Sequence, residues 1–395
     1  DAHYFDTITN AIDDAFLDGN WNHVTIAFTG QNEASGDFDL TWANEKLAGI
    51  DSDVNFVFGD IELDASSFPT VPGAFSRDEN GNVTMDGRVD AGSSSIGFSN
   101  ISGTDAVNVI NGAHLTLVQG TGENHSLIGT DGGSVAVDNA VLTLSNGEGW
   151  LNLADVSNGG VFEVYGGKYK VDKATIHNQG RLDVQAGTLN IGTLVSAGEI
   201  ENAGTLGAGS ITLTGGNLTN DGMAHADRLT VEAGGSLINN AQANWGAAVI
   251  SGVAENGGTE YVSDYQLLAG GTQKNYGQQH VGTALIGGSY ENIVAPDNAA
   301  QSGYLQVDGV LTVDQNGLLH NEGRVDIADT LVVNGSVTNA GEMLATNLVS
   351  STGGIFANEV DAVLNVLENA DFDSLVNDGA VSVKGTMKGT DIRNT

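Results

Sequence analysis

Leu229-Thr230-Val231-Glu232-Ala233-Gly234-Gly235-Ser236-Leu237-Ile238-Asn239 holds the pattern from which the fold follows. A period-two run, Leu229 to Glu232, meets a glycine pair and then a second run that ends in asparagine. The second run has the form glycine, any residue, an aliphatic or Phe, any residue, asparagine. It returns as Gly198 to Asn202, Gly216 to Asn220, Gly317 to Asn321, Gly335 to Asn339 and Gly354 to Asn358. Two weaker copies lack the leading glycine, Ala174 to Asn178 and Asp373 to Asn377. The asparagines at 178, 202, 220 and 239 are followed by a gap of 82 residues, then by 321, 339, 358 and 377. That gap is close to four repeats. The first run also recurs ahead of the motif, as Ile211 to Thr214, Leu311 to Asp314 and Leu331 to Asn334.

Strands of four or five residues bury no face alone. Coiled so that each turn stacks on the last at about 4.8 Å, they bond backbone to backbone between coils and join their inward Leu, Val and Ile into one column. The chain therefore reads as an all-β parallel β-helix, a solenoid of roughly 18–20 residues per coil. Asparagine suits a corner because it tolerates the left-handed conformation, and because its amide both donates and accepts, so stacked copies form a ladder. Stacked aspartates would repel.

Composition agrees. The 395 residues include 56 glycines and 3 prolines, twice the usual glycine share of about 7%. Glycine punctuates corners, and proline is scarce because nearly every N–H is needed for bonding between coils. With 50 acidic against 13 basic side chains the formal charge is −37, a field that repels nucleic acid and anionic membrane surfaces. The one basic cluster, Lys168, Lys170 and Lys173, alternates along a strand and reads as a solvated face. Absence of cysteine removes disulfides, thiolate metal sites and cysteine nucleophiles. Asp1-Ala2-His3-Tyr4 does not read as a signal peptide, so an exported form would be a mature fragment.

Earlier coils are recognisable in His114 to Val118, Ser134 to Val137, Val141 to Leu144 and Val161 to Val164. Phe5, Ile8, Ile12, Ala15 and Phe16 follow helical spacing, which predicts a capping helix over 5–17 before a first strand at Val24 to Phe28. Residues 1–30 thus form the cap and 31–395 one solenoid, with a protruding loop near 66–86 and an irregular stretch over 250–304. The latter carries Tyr261, Tyr265, Tyr276, Tyr290 and Tyr304. Exposed aromatics on loops are where recognition concentrates, and Tyr261, Tyr265, Tyr276 and Tyr290 are the expected ligand-binding residues.

The motifs of nucleotide, zinc-hydrolase and serine-hydrolase chemistry are missing from the sequence, and no catalytic residue, cofactor or metal is expected. His177 and His320 read as corner residues just before a ladder asparagine. Gly-Arg-aliphatic-Asp occurs at Gly87 to Asp90, Gly180 to Asp183 and Gly323 to Asp326, and reads as an ion pair opening a strand. Asp78 to Asn82 reads as an Asn-Gly hairpin turn over the opening of a calcium loop.

The Leu-Thr-Val, Gly-Gly-Ser-Leu and Asn-x-Gly grammar of Leu229 to Asn240 and Leu311 to Gly323 resembles the passenger domains of Gram-negative autotransporters, closest to the self-associating adhesins, over about residues 100–395. The resemblance implies a right-handed, three-faced β-helix exported across the outer membrane to the cell surface. It also implies a non-enzymatic adhesin whose partner is a host surface protein, a glycan or a second copy of the rod. Two other classes remain open. One is a β-helix glycoside hydrolase or lyase, for which Asp183, Glu199 and Glu201 are the carboxylates to inspect. The other is a structural spacer or surface-layer element.

Overall fold

The computed structural model describes residues 148–295 and 298–394, together with ten strands between His23 and Ser145. The helix expected over 5–17 lies outside the described residues. Among those described, every regular element is a strand, and nearly all pairing is parallel. The fold is a parallel β-solenoid. Phe75–Arg77 pairs antiparallel with Val83–Asp86; the turn expected at Asp78 to Asn82 lies outside the described residues.

The coil is built from one short and one long strand. Asn217–Asn220 is followed by Met223–Val231, and Ser236–Asn239 by Gln242–Ile250. In Met223–Val231 inward and outward residues alternate until Asp227 and Arg228, which both face out. Alternation slips there because the strand turns a corner, after which Leu229 and Val231 point inward again. A coil thus gives three inward runs, each adding aliphatic side chains to the stacked core. Corners are tight. A Cβ on Gly323 would strike the carbonyl oxygen of Gly303, and one on Gly341 that of Gly323, so coil-to-coil contact at these corners leaves no room for a side chain.

The chain divides into two compact units, residues 1–194 with 204–206, and residues 195–203 with 207–395. In the first, Val141–Ser145, Val161–Val164 and Arg181–Val184 stack in register, so that Leu144, Val164 and Val184 form one buried aliphatic column. The Ala174 to Asn178 repeat is not a ladder copy. Lys168–Ile176 is the long strand of its coil, and His177 and Asn178 stand in an exposed turn after it, with His177 Nε2 2.7 Å from Asp155 Oδ1. The expectation that His177 shares the position of His320 is corrected accordingly.

In the second unit one strand of each coil ends in asparagine, at Asn202, Asn220, Asn239, Asn256, Asn275, Asn292, Asn321, Asn339, Asn358, Asn377 and Asn394. Each Nδ2 donates to Oδ1 of the next asparagine at 2.6–2.8 Å. The second amide hydrogen commonly goes to a backbone carbonyl of the following coil, as from Asn220 to Gln242 O at 2.9 Å and from Asn321 to Glu342 O at 3.0 Å. Among the ladder amides only Asn202 Oδ1, the first acceptor, is buried without a donor.

The stretch 250–304 is regular, against expectation, as far as Asn292. Val253–Asn256, Thr272–Asn275 and Ser289–Asn292 are ordinary short strands. They fill the 82-residue gap in steps of 17, 19, 17 and 29. The long last step contains the irregularity, an antiparallel pair of Val294–Ala295 with Asn298–Ser302, closed at its base by Gly303 N donating to Ile293 O at 3.0 Å.

Candidate functional site

The long strands Gln242–Ile250, Thr259–Leu267 and Gln278–Ile286, with Tyr304–Val307 and Arg324–Val333, present two parallel rows of outward residues. One row runs Gln242, Thr259, Gln278, Tyr304, Arg324; the other runs Asn244, Tyr261, His280, Gln306, Asp326. All ten are exposed or half-buried. Arg324 and Asp326 are the only formal charges among them, and they cancel, on a chain whose net charge is −37. This face is amide-rich, aromatic and neutral.

Its side chains hold one another. Tyr261 stacks on His280 with ring centroids 4.9 Å apart and planes 11° apart, the coil spacing carried out to the side chains. His280 meets Tyr304 edge-on at 6.0 Å, and the Arg324 guanidinium lies 5.9 Å from the Tyr304 ring centre. The Tyr304 hydroxyl points its proton toward Asp326 Oδ2 at 3.0 Å and Gln306 Oε1 at 3.2 Å. Partial burial, and then the hydrogen bond to the Asp326 carboxylate, raise the Tyr304 pKa. Arg324 and Asp326 pair at 2.8 Å. The Gly-Arg-aliphatic-Asp motif is an ion pair at the opening of a strand here and again at Arg181 and Asp183, 3.1 Å apart.

Beneath lies a buried polar chain, on the inward sides of three of these strands and of the short strands Thr272–Asn275 and Ser289–Asn292. Glu260 accepts from the Trp245 indole Nε1 at 2.7 Å and from Gln279 Nε2 at 2.5 Å. The Tyr290 hydroxyl donates to Gln279 Oε1, and that of Tyr265 to Gln273 Oε1 at 3.1 Å. Tyr265 and Tyr290 meet edge to face. Burial pushes the Glu260 carboxyl up, and the bonds from Trp245 and Gln279 oppose that rise without cancelling it. Burial likewise holds Tyr265 and Tyr290 neutral far into the alkaline range. Two strands thus carry Tyr261 and His280 outward while Glu260 and Gln279 lock them from within.

Of the four tyrosines expected to bind, the structure leaves one exposed. Tyr261 is 43% accessible. Tyr276 is half-buried at the corner after Asn275, two residues before the strand that carries His280. Tyr265 and Tyr290, at 3% and 1% exposure, are core residues, and the expectation of surface binding for them is corrected. Tyr265 turns inward because the strand slips one residue at Ser263 and Asp264, both outward. Tyr290 fills the slot that Leu319 fills in the next coil. Tyr304, His280 and Gln306 complete the face and were not among the expected binding residues.

The carboxylates proposed for sugar cleavage are placed otherwise. Asp183 is 4% exposed and accepts from Arg181 and from Gln185 at 3.0 Å, an arrangement that leaves it little access to a glycosidic oxygen. Glu199 and Glu201 stand on the outer side of a short strand, opposite Asn217 and Thr219. Lys168, Lys170 and Lys173 are exposed, with Lys170 paired to Asp172 at 3.1 Å and lying over Trp150. Among the described residues no group of His, Asp and Glu is arranged to hold a metal ion, and no helix is long and apolar enough to cross a membrane. No protein-family model, curated protein or solved structure matches this chain.

Proposed function

We propose that the protein is a non-enzymatic surface adhesin, exported across the outer membrane, that attaches a cell to host ligands or to neighbouring cells. The observation that supports this best is the neutral face of the second unit, rigidly held from outside by ring stacking and from inside by the Glu260 chain. Preorganised aromatic and amide side chains bind with little loss of rotamer freedom, which suits adhesion by many modest contacts. The acidic remainder keeps the protein soluble and repels polyanions. Copies at −37 each also repel one another, so contact between them depends on screening by salt. The resemblance of the repeat grammar to autotransporter passengers points the same way.

Beads coated with the folded chain test this directly. They are expected to adhere to cultured epithelial cells, or to clump with one another more strongly as salt is added. Coated beads that do neither, behaving as beads coated with the unfolded chain do, would contradict the reading. Release of reducing ends from polysaccharides incubated with the chain would favour the hydrolase class instead.

A further inference from the structure

We infer that the face centred on Tyr261, His280 and Tyr304 is a binding platform for an uncharged, linear polysaccharide laid along the coil axis. The inference rests on the adhesin reading and names the ligand class of its binding face.

Four observations carry it. First, the face repeats. Its side chains recur once per coil, as the register from Asn244 through Tyr261, His280 and Gln306 to Asp326 shows, so the partner that engages all of them is itself extended and periodic. A folded protein offers such a repeat only along a strand, whose backbone would seek an open sheet edge, and every strand of this face is already paired on both sides. Second, the chemistry is that of hydroxyl recognition. Carboxamides such as Asn244 and Gln278 each donate and accept, as sugar hydroxyls do, and stand exposed beside the rings.

Third, charge selects. A polyanion meets the repulsion of the −37 field, and a polycation is drawn to the acidic remainder of the surface rather than to a neutral face. An uncharged chain is the class that meets neither of these penalties on this face. Fourth, the platform is built before the ligand arrives. Tyr304 is fixed by Asp326, Gln306 and Arg324, and Tyr261 by His280. Affinity therefore needs no ordering of these rings, and a flat stiff chain loses little on docking.

The test is affinity electrophoresis and calorimetric titration of the whole chain with soluble uncharged polysaccharides (a mannan, a xylan, a mixed-linkage β-glucan, dextran) and two anionic ones (alginate, heparin). The expected result is binding to at least one uncharged chain, nearly independent of salt. It weakens about ten-fold or more in Tyr261→Ala/Tyr304→Ala and in Asn244→Ala/Gln278→Ala, and is unchanged in Thr338→Ala on another face. Circular dichroism identical to the parent shows that the variants fold. Binding to none of the uncharged chains, binding to the anionic ones alone, or equal binding by the face variants overturns the inference. Beads that attach to cells although no uncharged polysaccharide binds overturn it and leave the adhesin reading standing. Polysaccharide binding without bead attachment upholds it and removes that reading.

Discussion

The strands of the first unit place Leu144, Val164 and Val184 in the corner column, while those of the second place asparagine there, coil after coil. The backbone task is the same in both, parallel stacking through a corner. The chemistry that fills the corner column differs. An aliphatic column gains from burial and tolerates a change in one member by repacking, because dispersion and area are not directional. The amide column is directional and serial: each asparagine is donor to the next and acceptor from the last. Its members are buried, so any break leaves polar atoms away from water. The second unit also carries the neutral face, and the ladder fixes the register of the strands that present it.

The comparison is broken hardest in mid-ladder. Asn256→Leu strands Asn239 Nδ2 and Asn275 Oδ1 together, and two buried orphans at about 1–3 kcal/mol each put the loss near 4 kcal/mol in urea unfolding. A loss below 1 kcal/mol would show the ladder to be an ornament of the corner. The reciprocal change, Val164→Asn, puts an amide between Leu144 and Val184, neither of which can pair with it, and is expected to cost about 3 kcal/mol. Asn202→Leu at the head of the ladder sharpens the contrast. Its Oδ1 already lacks a donor, so within the ladder only Asn220 Oδ1 is newly orphaned, and the cost falls to about 2 kcal/mol. Equal effects at 202 and 256 would contradict a serial ladder.

A smaller effect separates the buried polar chain from both columns. Burial raises the Glu260 pKa in the folded chain, so the folded state holds that proton more tightly than the unfolded one does. Its contribution to stability is complete below the unfolded value and is lost as pH rises through the folded pKa. Glu260→Gln, which keeps an acceptor for the Trp245 indole, should therefore flatten the fall in stability between acidic and neutral pH. Parallel pH profiles for parent and variant would remove Glu260 from the account. Least of all, Tyr261→Ala is expected to change stability by less than about 0.5 kcal/mol, as befits an exposed side chain.

Much of the fold was legible because the ladder asparagine is a spacing signal. Six copies with a leading glycine and the copy ending at Asn377 all fall on the ladder. Asn256, Asn275 and Asn292 escaped because the inward slot two residues before each holds Ala254, Gln273 and Tyr290 in place of a large aliphatic. That departure has a physical source. The bulky Trp245, Tyr265 and Tyr290 share this part of the core with a polar chain, so the slot varies in size and polarity. Each of these copies keeps its glycine, at Gly252, Gly271 and Gly288, and a motif of glycine and asparagine alone would have found them. The binding face was harder to read, since its members are distant in sequence and meet only through register. With Asn256 and Asn275 placed, Tyr261 and His280 both fall five residues past the ladder, while the hairpin before Tyr304 hides the third ring from any fixed period.

The central claim is that the second unit holds its neutral face rigid before any partner binds. Native-state hydrogen exchange of the intact chain, followed by mass spectrometry at pH 7, tests it most directly. The account predicts that amides of Thr259–Leu267 and Gln278–Ile286 belong to the slowest-exchanging class, alongside the coils around Asn321 and Asn339. Exchange in those two strands as fast as in the exposed turn at His177 and Asn178 would contradict it.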